Sequence, residues 1–202
     1  YVRDSYERMR YCDCSKDNSE SKFKFGGKLF IDNDSNINRI ITLNPIPSSL
    51  NIKSLKSLTI GMDFEKAFWT PINTSAPYFI QHDSNGEPDF ELNRIETRDI
   101  EYYNPNPIIE CDVVIRQTPE KYIHHPSSKN EWRIGGMPNW WQEEENIICP
   151  KCQKEMTFII QLPSGELTDI NGKGIYYGSD GGTTYGFWCD NDLIMGYIWQ
   201  DT

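Results

Sequence analysis

Two cysteines separated by two residues, Cys149-Pro-Lys-Cys152, are the residues in this chain whose type and spacing best suit a chemical role. Thiolates at that spacing can grip one edge of a tetrahedron, and zinc is the ion that such a pair suits. Two further ligands are then required. Cys189 is the candidate third, because the strand it ends can pair near the knuckle. Cys12, Cys14, Cys111, His124 and His125 are candidates for the fourth, none at a decisive spacing, and there is no second Cys-x-x-Cys. Structural zinc at Cys149, Cys152 and Cys189 is the cofactor expectation, set against a thiol pair that is merely packed. A redox dithiol is the lesser alternative, since no thioredoxin-like βαβ pattern accompanies it.

Other chemical motifs fail on spacing. Asp32-Asn-Asp-Ser-Asn36 opens like a calcium loop, but its sixth and twelfth positions are Ile37 and Leu43 rather than Gly and Glu. Gly178-Ser-Asp-Gly-Gly182 is neither a phosphate loop nor a nucleophile elbow, and Asp180 there reads as the organiser of a tight turn. The histidines, His82, His124 and His125, sit in no catalytic pattern. No assembled catalytic set is legible, so the expectation is a chain that is not an enzyme.

A binding surface is the better candidate. Trp140 and Trp141 stand beside Glu143, Glu144 and Glu145, and aromatic groups next to carboxylates suit an extended basic peptide. On a strand, adjacent residues face opposite sides, so one ring is expected in the core and the other as a surface anchor.

The order of motifs resembles a known family. Ile134-Gly-Gly-Met-Pro138 with Trp140, then Cys149-Pro-Lys-Cys152, then Met156-Thr-Phe-Ile-Ile-Gln-Leu162 is similar to the YwqG-like bacterial proteins. Tyr177 to Cys189 and Tyr197-Ile-Trp-Gln200 extend the likeness, which is clear over residues 131–200. A related eukaryotic group, with programmed cell death protein 2 and a yeast ribosomal-protein chaperone, has a similar double-glycine and Cys-x-x-Cys pairing. The resemblance implies a domain that holds a polypeptide, in immunity-like or chaperone-like settings, and it implies internal doubling.

Positioning these residues falls to a strand-rich chain. Apolar runs read as strands at Phe23–Phe30, Arg39–Leu43, Ile46–Leu58, Leu58–Phe64, Tyr78–Gln81, Ile108–Arg116, Met156–Leu162, Tyr185–Cys189 and Leu193–Gln200. Asn171-Gly172 has the chemistry of a hairpin turn. Tyr1–Arg10 has helical spacing at Val2, Tyr6 and Met9, and Phe64–Phe68 suits a helical turn. The class expected is α+β, predominantly antiparallel β with short helices, as one domain over residues 1–202. Two Gly-Gly segments, Phe23–Phe30 and Trp132–Asn139, suggest a duplication with halves 1–117 and 118–202, matching Leu58–Phe64 to Met156–Leu162.

Composition narrows the partners. The net charge is −10, from 20 basic and 30 acidic residues. That balance repels phosphate backbones and disfavours nucleic acid, while it favours a basic protein partner. No apolar run is long enough to span a membrane. Six cysteines in 202 residues are too sparse for a disulfide scaffold, and the close pair suits the reducing cytoplasm. The favoured function is a non-enzymatic protein-binding module. A metal- or Cys/His-dependent enzyme and a structural accessory domain of a larger protein are the alternatives.

Overall fold

The computed structural model describes residues 7–11, 23–27, 37–64, 66–67, 76–92, 107–117, 132–169, 171–177 and 181–201. Runs rich in β-branched and aromatic residues become strands here, as their packing on a pleated surface favours. Thirteen are described: β1 (Glu7–Tyr11), β2 (Phe23–Gly27), β3 (Asn38–Leu43), β4 (Leu58–Met62), β5 (Tyr78–His82), β6 (Pro88–Glu91) and β7 (Ile108–Gln117), then β8 (Arg133–Ile134), β9 (Thr157–Pro163), β10 (Gly165–Thr168), β11 (Gly174–Tyr177), β12 (Thr183–Cys189) and β13 (Ile194–Gln200). Eleven form one sheet in the order β4-β3-β2-β7-β1-β8-β9-β12-β13-β5-β6, and β10-β11 make a separate hairpin. Every described pairing is antiparallel.

The sheet curls until its ends meet. Although β4 and β6 are its opposite edges, Thr59 N–H on β4 donates to Gly86 O in the β5–β6 turn at 2.8 Å. The Thr59 hydroxyl donates to Glu87 at 2.6 Å, and Tyr197 OH crosses the interior to Gly61 O at 2.7 Å. Inside lies one apolar core, with Ile41, Leu43, Ile60, Ile80, Ile160 and Trp188 among its members. A second cluster, with Phe158, Tyr185, Phe187 and Ile198, covers the outer face of β9, β12 and β13. The chain between β8 and β9 closes over it with Trp140, Ile147, Cys149 and Met156. That excursion carries the cysteine knuckle.

The strand order has an internal correspondence. Exchange β1 with β7, β2 with β8, β3 with β9 and β4 with β12, read backwards, and the run from β4 to β12 returns unchanged. Registers follow it: Phe25↔Ile41 matches Ile134↔Ile160, and Thr42↔Thr59 matches Gln161↔Tyr185. Ile40 is the extra residue between Arg39↔Gly61 and Ile41↔Ile60, and Ile159 is the extra residue between Phe158↔Phe187 and Ile160↔Gly186. Both glycine pairs hold positive φ, 74° and 87° at Gly26 and Gly27, and 72° at both Gly135 and Gly136. A bulge changes which face the following residues take, and the one at Ile159 puts Phe158 in the outer cluster while Ile160 faces the inner core.

Several sequence expectations are corrected. The helix expected over Tyr1–Arg10 is strand β1 where it is described, from Glu7. Its backbone is bonded by β7 on one side and β8 on the other, and a ladder on both edges outweighs a short helical periodicity. Ile46–Leu58 is not a strand: Pro45 and Pro47 remove ladder donors, Ser48–Leu50 forms one 3-10 turn, and Asn51 takes a left-handed conformation at φ 51°. The repeat match of Leu58–Phe64 with Met156–Leu162 also gives way, because β9 occupies the place corresponding to β3, not β4. Among the described residues helix is limited to short turns, one of them at residues 64 and 66–67, where Asp63 O accepts from Ala67 N–H at 2.8 Å.

Candidate metal centre

Two hairpin tips converge at one end of the outer cluster. In the first, Met156 N–H donates to Ile147 O, Cys149 N–H donates to Lys154 O, both at 2.8 Å, and Gln153 N–H donates back to Cys149 O at 3.1 Å. Gln153 closes the tip in a left-handed conformation, φ 57°. The second tip joins β12 to β13: Cys189 pairs with Ile194, and Leu193 is left-handed at φ 55°. Cys149-x-x-Cys152 is thus matched by Cys189-Asp-Asn-Asp192, with a left-handed residue after the last member of each. Non-glycine residues rarely hold that conformation, so its recurrence in both tips marks two copies of one turn geometry.

The side chains meet. One ligand atom each from Cys149, Cys152, Cys189 and Asp192 lies within 4.8 Å of all the others. Cys152 Sγ is 3.6 Å from Cys189 Sγ, Cys149 Sγ is 3.3 Å from Asp192 Oδ2, and Cys189 Sγ is 3.5 Å from the same oxygen. A tetrahedral zinc with Zn–S near ~2.3 Å and Zn–O near ~2.0 Å has edges of about 3.8 Å between sulfurs and about 3.5 Å between sulfur and oxygen. The Cys152–Cys189, Cys149–Asp192 and Cys189–Asp192 edges are near those lengths, and the remaining edges lie within 4.8 Å. Cys149 and Cys189 are buried, and Cys152 and Asp192 are half-buried.

An ion that binds here must displace thiol protons that burial holds in place. Burial pushes the Cys149 thiol up and pushes Cys189 up to about 12. Asp192 is held down at about 2, first by the hydrogen bond from Cys152 and further by Cys149 and Cys189. Burial thus keeps Cys149 and Cys189 protonated beside one carboxylate, and a divalent cation bound here would be held by three thiolates and a fourth anionic ligand.

A buried glutamine holds the two tips together. Gln81 Nε2 on β5 donates to Asp192 O at 2.7 Å and Leu193 O at 3.0 Å, while its Oε1 accepts from Lys151 Nζ of the first tip. Asp190 fixes the second tip from outside, accepting from Lys53 N–H at 3.1 Å and Trp188 Nε1 at 3.2 Å. Outer groups of this kind orient a metal's ligands.

Cys149, Cys152 and Cys189 are brought together as the sequence suggests. Among the proposed fourth ligands, Cys111 lies on β7 opposite Phe25 and outside the cluster. Cys12, Cys14, His124 and His125 lie outside the described residues, as do Asp180 and Asp32–Asn36. Asp192 is the residue that sequence reasoning passes over. Its signal is present: Cys189-x-x-Asp192 repeats the spacing of the first knuckle with a carboxylate in place of a thiol.

The aromatic pair is arranged differently from expectation. Residues 139–147 form bends and irregular chain rather than a strand, so alternation does not apply. Trp140 and Trp141 are both half-buried against the same outer cluster. Trp140 stacks on Phe187 with ring centroids 6.1 Å apart, and Trp141 Nε1 donates to the Thr183 hydroxyl at 2.7 Å. Neither ring is fully buried or fully exposed, so the expected split into one core ring and one surface ring is not seen. Glu143, Glu144 and Glu145 are exposed on a loop tied to the last strand, where Gln200 Nε2 donates to Glu143 O at 2.8 Å and to Glu145 Oε1 at 2.7 Å.

The chain matches no family model, no curated protein and no solved structure.

Proposed function

We propose that this chain is a non-enzymatic protein-binding module whose β scaffold is fastened by a structural zinc at Cys149, Cys152, Cys189 and Asp192. The observation that carries the reading is the convergence of four donor atoms, within 4.8 Å of one another, from two matched hairpin tips. A full set of protein ligands leaves no position for substrate, which is the arrangement of structural zinc, whereas catalytic zinc keeps a site open. Elemental analysis of protein purified reduced, without metal stripping, tests it. The expected result is about one zinc per chain, and less than about one-tenth equivalent would overturn it.

The binding half rests on charge and on the loop. A net charge of −10 and three exposed glutamates on a backbone anchored by Gln200 suit a basic polypeptide. The resemblance of the motif order to the YwqG-like family adds support for a polypeptide partner. A closely spaced Cys-x-x-Cys suits a reducing compartment such as the cytoplasm, and no helix among the described residues is long and apolar enough to cross a membrane.

Internal duplication belongs to the same proposal. The palindromic strand order, the registers conserved around Ile40 and Ile159, and the paired positive-φ glycines support it. On this reading the first strands of the two halves are exchanged, since β1 pairs with β8 and β7 with β2. The equivalent units then run from β1 to β6 and from β7 to β13, which moves the boundary to before Ile108.

A further inference from the structure

We infer that the zinc centre is a redox-sensitive clasp: a two-electron oxidant of the peroxide class joins Cys152 to Cys189 and expels the metal. This rests on the zinc reading above and adds its regulation. Cys152 is the one cysteine of the three that is not fully buried, and it sits on the exposed knuckle between Lys151 and Gln153. Cys189 is buried behind it with its sulfur 3.6 Å away. A thiolate that solvent can reach, beside a second thiol, is the arrangement of a reactive and a resolving cysteine.

The chemistry balances. The Cys152 thiolate attacks one peroxide oxygen, the O–O bond breaks, and the sulfur becomes a sulfenic acid while hydroxide leaves. The Cys189 thiolate then attacks that sulfur, the S–O bond breaks, and a second hydroxide leaves. Two electrons pass from the sulfurs to hydrogen peroxide, and two protons from solvent convert both hydroxides to water. Cys149 and Asp192 remain as the only ligands, which is too few to retain zinc. The disulfide spans two tips that Gln81 already holds in place, so the first response is release of metal rather than collapse of the sheet.

The test begins with the zinc content of the reduced full chain. Below about one-tenth equivalent, the zinc reading and this inference fall together. Zinc-loaded protein is then titrated with hydrogen peroxide while a metallochromic dye reports free zinc and peptide mapping locates disulfides. The expected result is about one zinc released per peroxide consumed, a Cys152–Cys189 linkage, and recovery of binding after a dithiol reductant and zinc are added. Zinc retained under excess peroxide, sulfinic or sulfonic acids without a linkage, or a Cys149–Cys152 bond instead would each overturn this inference and leave the zinc reading standing. Cys189→His keeps a metal ligand without a resolving thiol, so its peroxide-driven release should slow at least about tenfold. Should that variant not load zinc, the mapping of the unaltered protein decides alone.

Discussion

Cys189 Sγ lies 3.5 Å from Asp192 Oδ2 across the β12–β13 tip, the same i, i+3 relation that joins Cys149 to Cys152. The carboxylate thus stands where a second Cys-x-x-Cys would place a fourth sulfur. Asp192→Ala should weaken zinc binding by more than the roughly 10- to 100-fold that loss of an outer-shell partner costs. Asp192→Cys should restore or tighten it, because a thiolate is the softer ligand. Competition with a chelating dye gives both affinities, and an unchanged value for Asp192→Ala would remove it from the ligand set.

Zinc affinity should climb steeply with pH. Burial holds the Cys149 thiol above its ordinary range and Cys189 at about 12, so in the metal-free protein both carry protons at neutral pH. Binding must release them, and each released proton adds about one logarithmic unit of affinity per pH unit. Isothermal titration in buffers of different ionisation enthalpy counts the protons. A count near zero would mean that the thiols are not ligands.

His82 should make the fold acid-sensitive. Its ring is buried edge-on to Trp188 at 5.1 Å, with Nε2 3.0 Å from Thr59 O, and burial pushes its pKa down to about 4. The unfolded chain takes up this proton near pH ~6.5, so the stabilisation is complete above that pH. It falls as pH drops from ~6.5 towards the folded value, by about 3 kcal/mol in all. Urea midpoints at neutral pH and near pH ~4.5, compared with those of His82→Gln, isolate this contribution. Parallel pH profiles for the two proteins would assign the sensitivity elsewhere.

The two glycine pairs should differ in tolerance. A Cβ on Gly26 would meet the backbone oxygen of Ile109 at 2.3 Å, whereas one on Gly135 would meet Leu50 Cδ2 at 2.9 Å. Both alanine variants would bear the positive-φ penalty of about 1 kcal/mol. Only Gly26→Ala must also part β2 from β7, so it should lose at least about 2 kcal/mol more in chemical denaturation. Equal losses would mean that the steric difference relaxes away.

The acidic loop should act on encounter more than on residence. Replacing Glu143, Glu144 and Glu145 together by Gln should slow association with a basic partner, and the difference should fade at high salt. A partner recovered by pull-down and titrated at two salt concentrations provides the measurement. Indifference to the substitution, or recovery of a nucleic acid, would sink the charge argument.

Part of this molecule is written locally. The strands at Arg39–Leu43, Tyr78–Gln81, Ile108–Arg116 and Leu193–Gln200 are legible because apolar and β-branched residues carry their own preference for a pleated surface. The Cys149–Cys152 knuckle is legible for a similar reason, since metal-ligand spacing is a property of a few consecutive residues. Tertiary structure decided the remainder. Glu7–Tyr11 is a strand because β7 and β8 supply donors and acceptors on both edges, and those partners lie about a hundred residues away in sequence. The Trp140 and Trp141 rings share one cluster because the chain between β8 and β9 bends over the outer face of β12, which no periodicity encodes. Asp192 becomes a candidate ligand only when the β12–β13 tip is laid against the β8–β9 excursion, with Gln81 bonded to both. A single carboxylate is too common for its sequence to mark it; three sulfurs within reach of it are not, and only the fold puts them there.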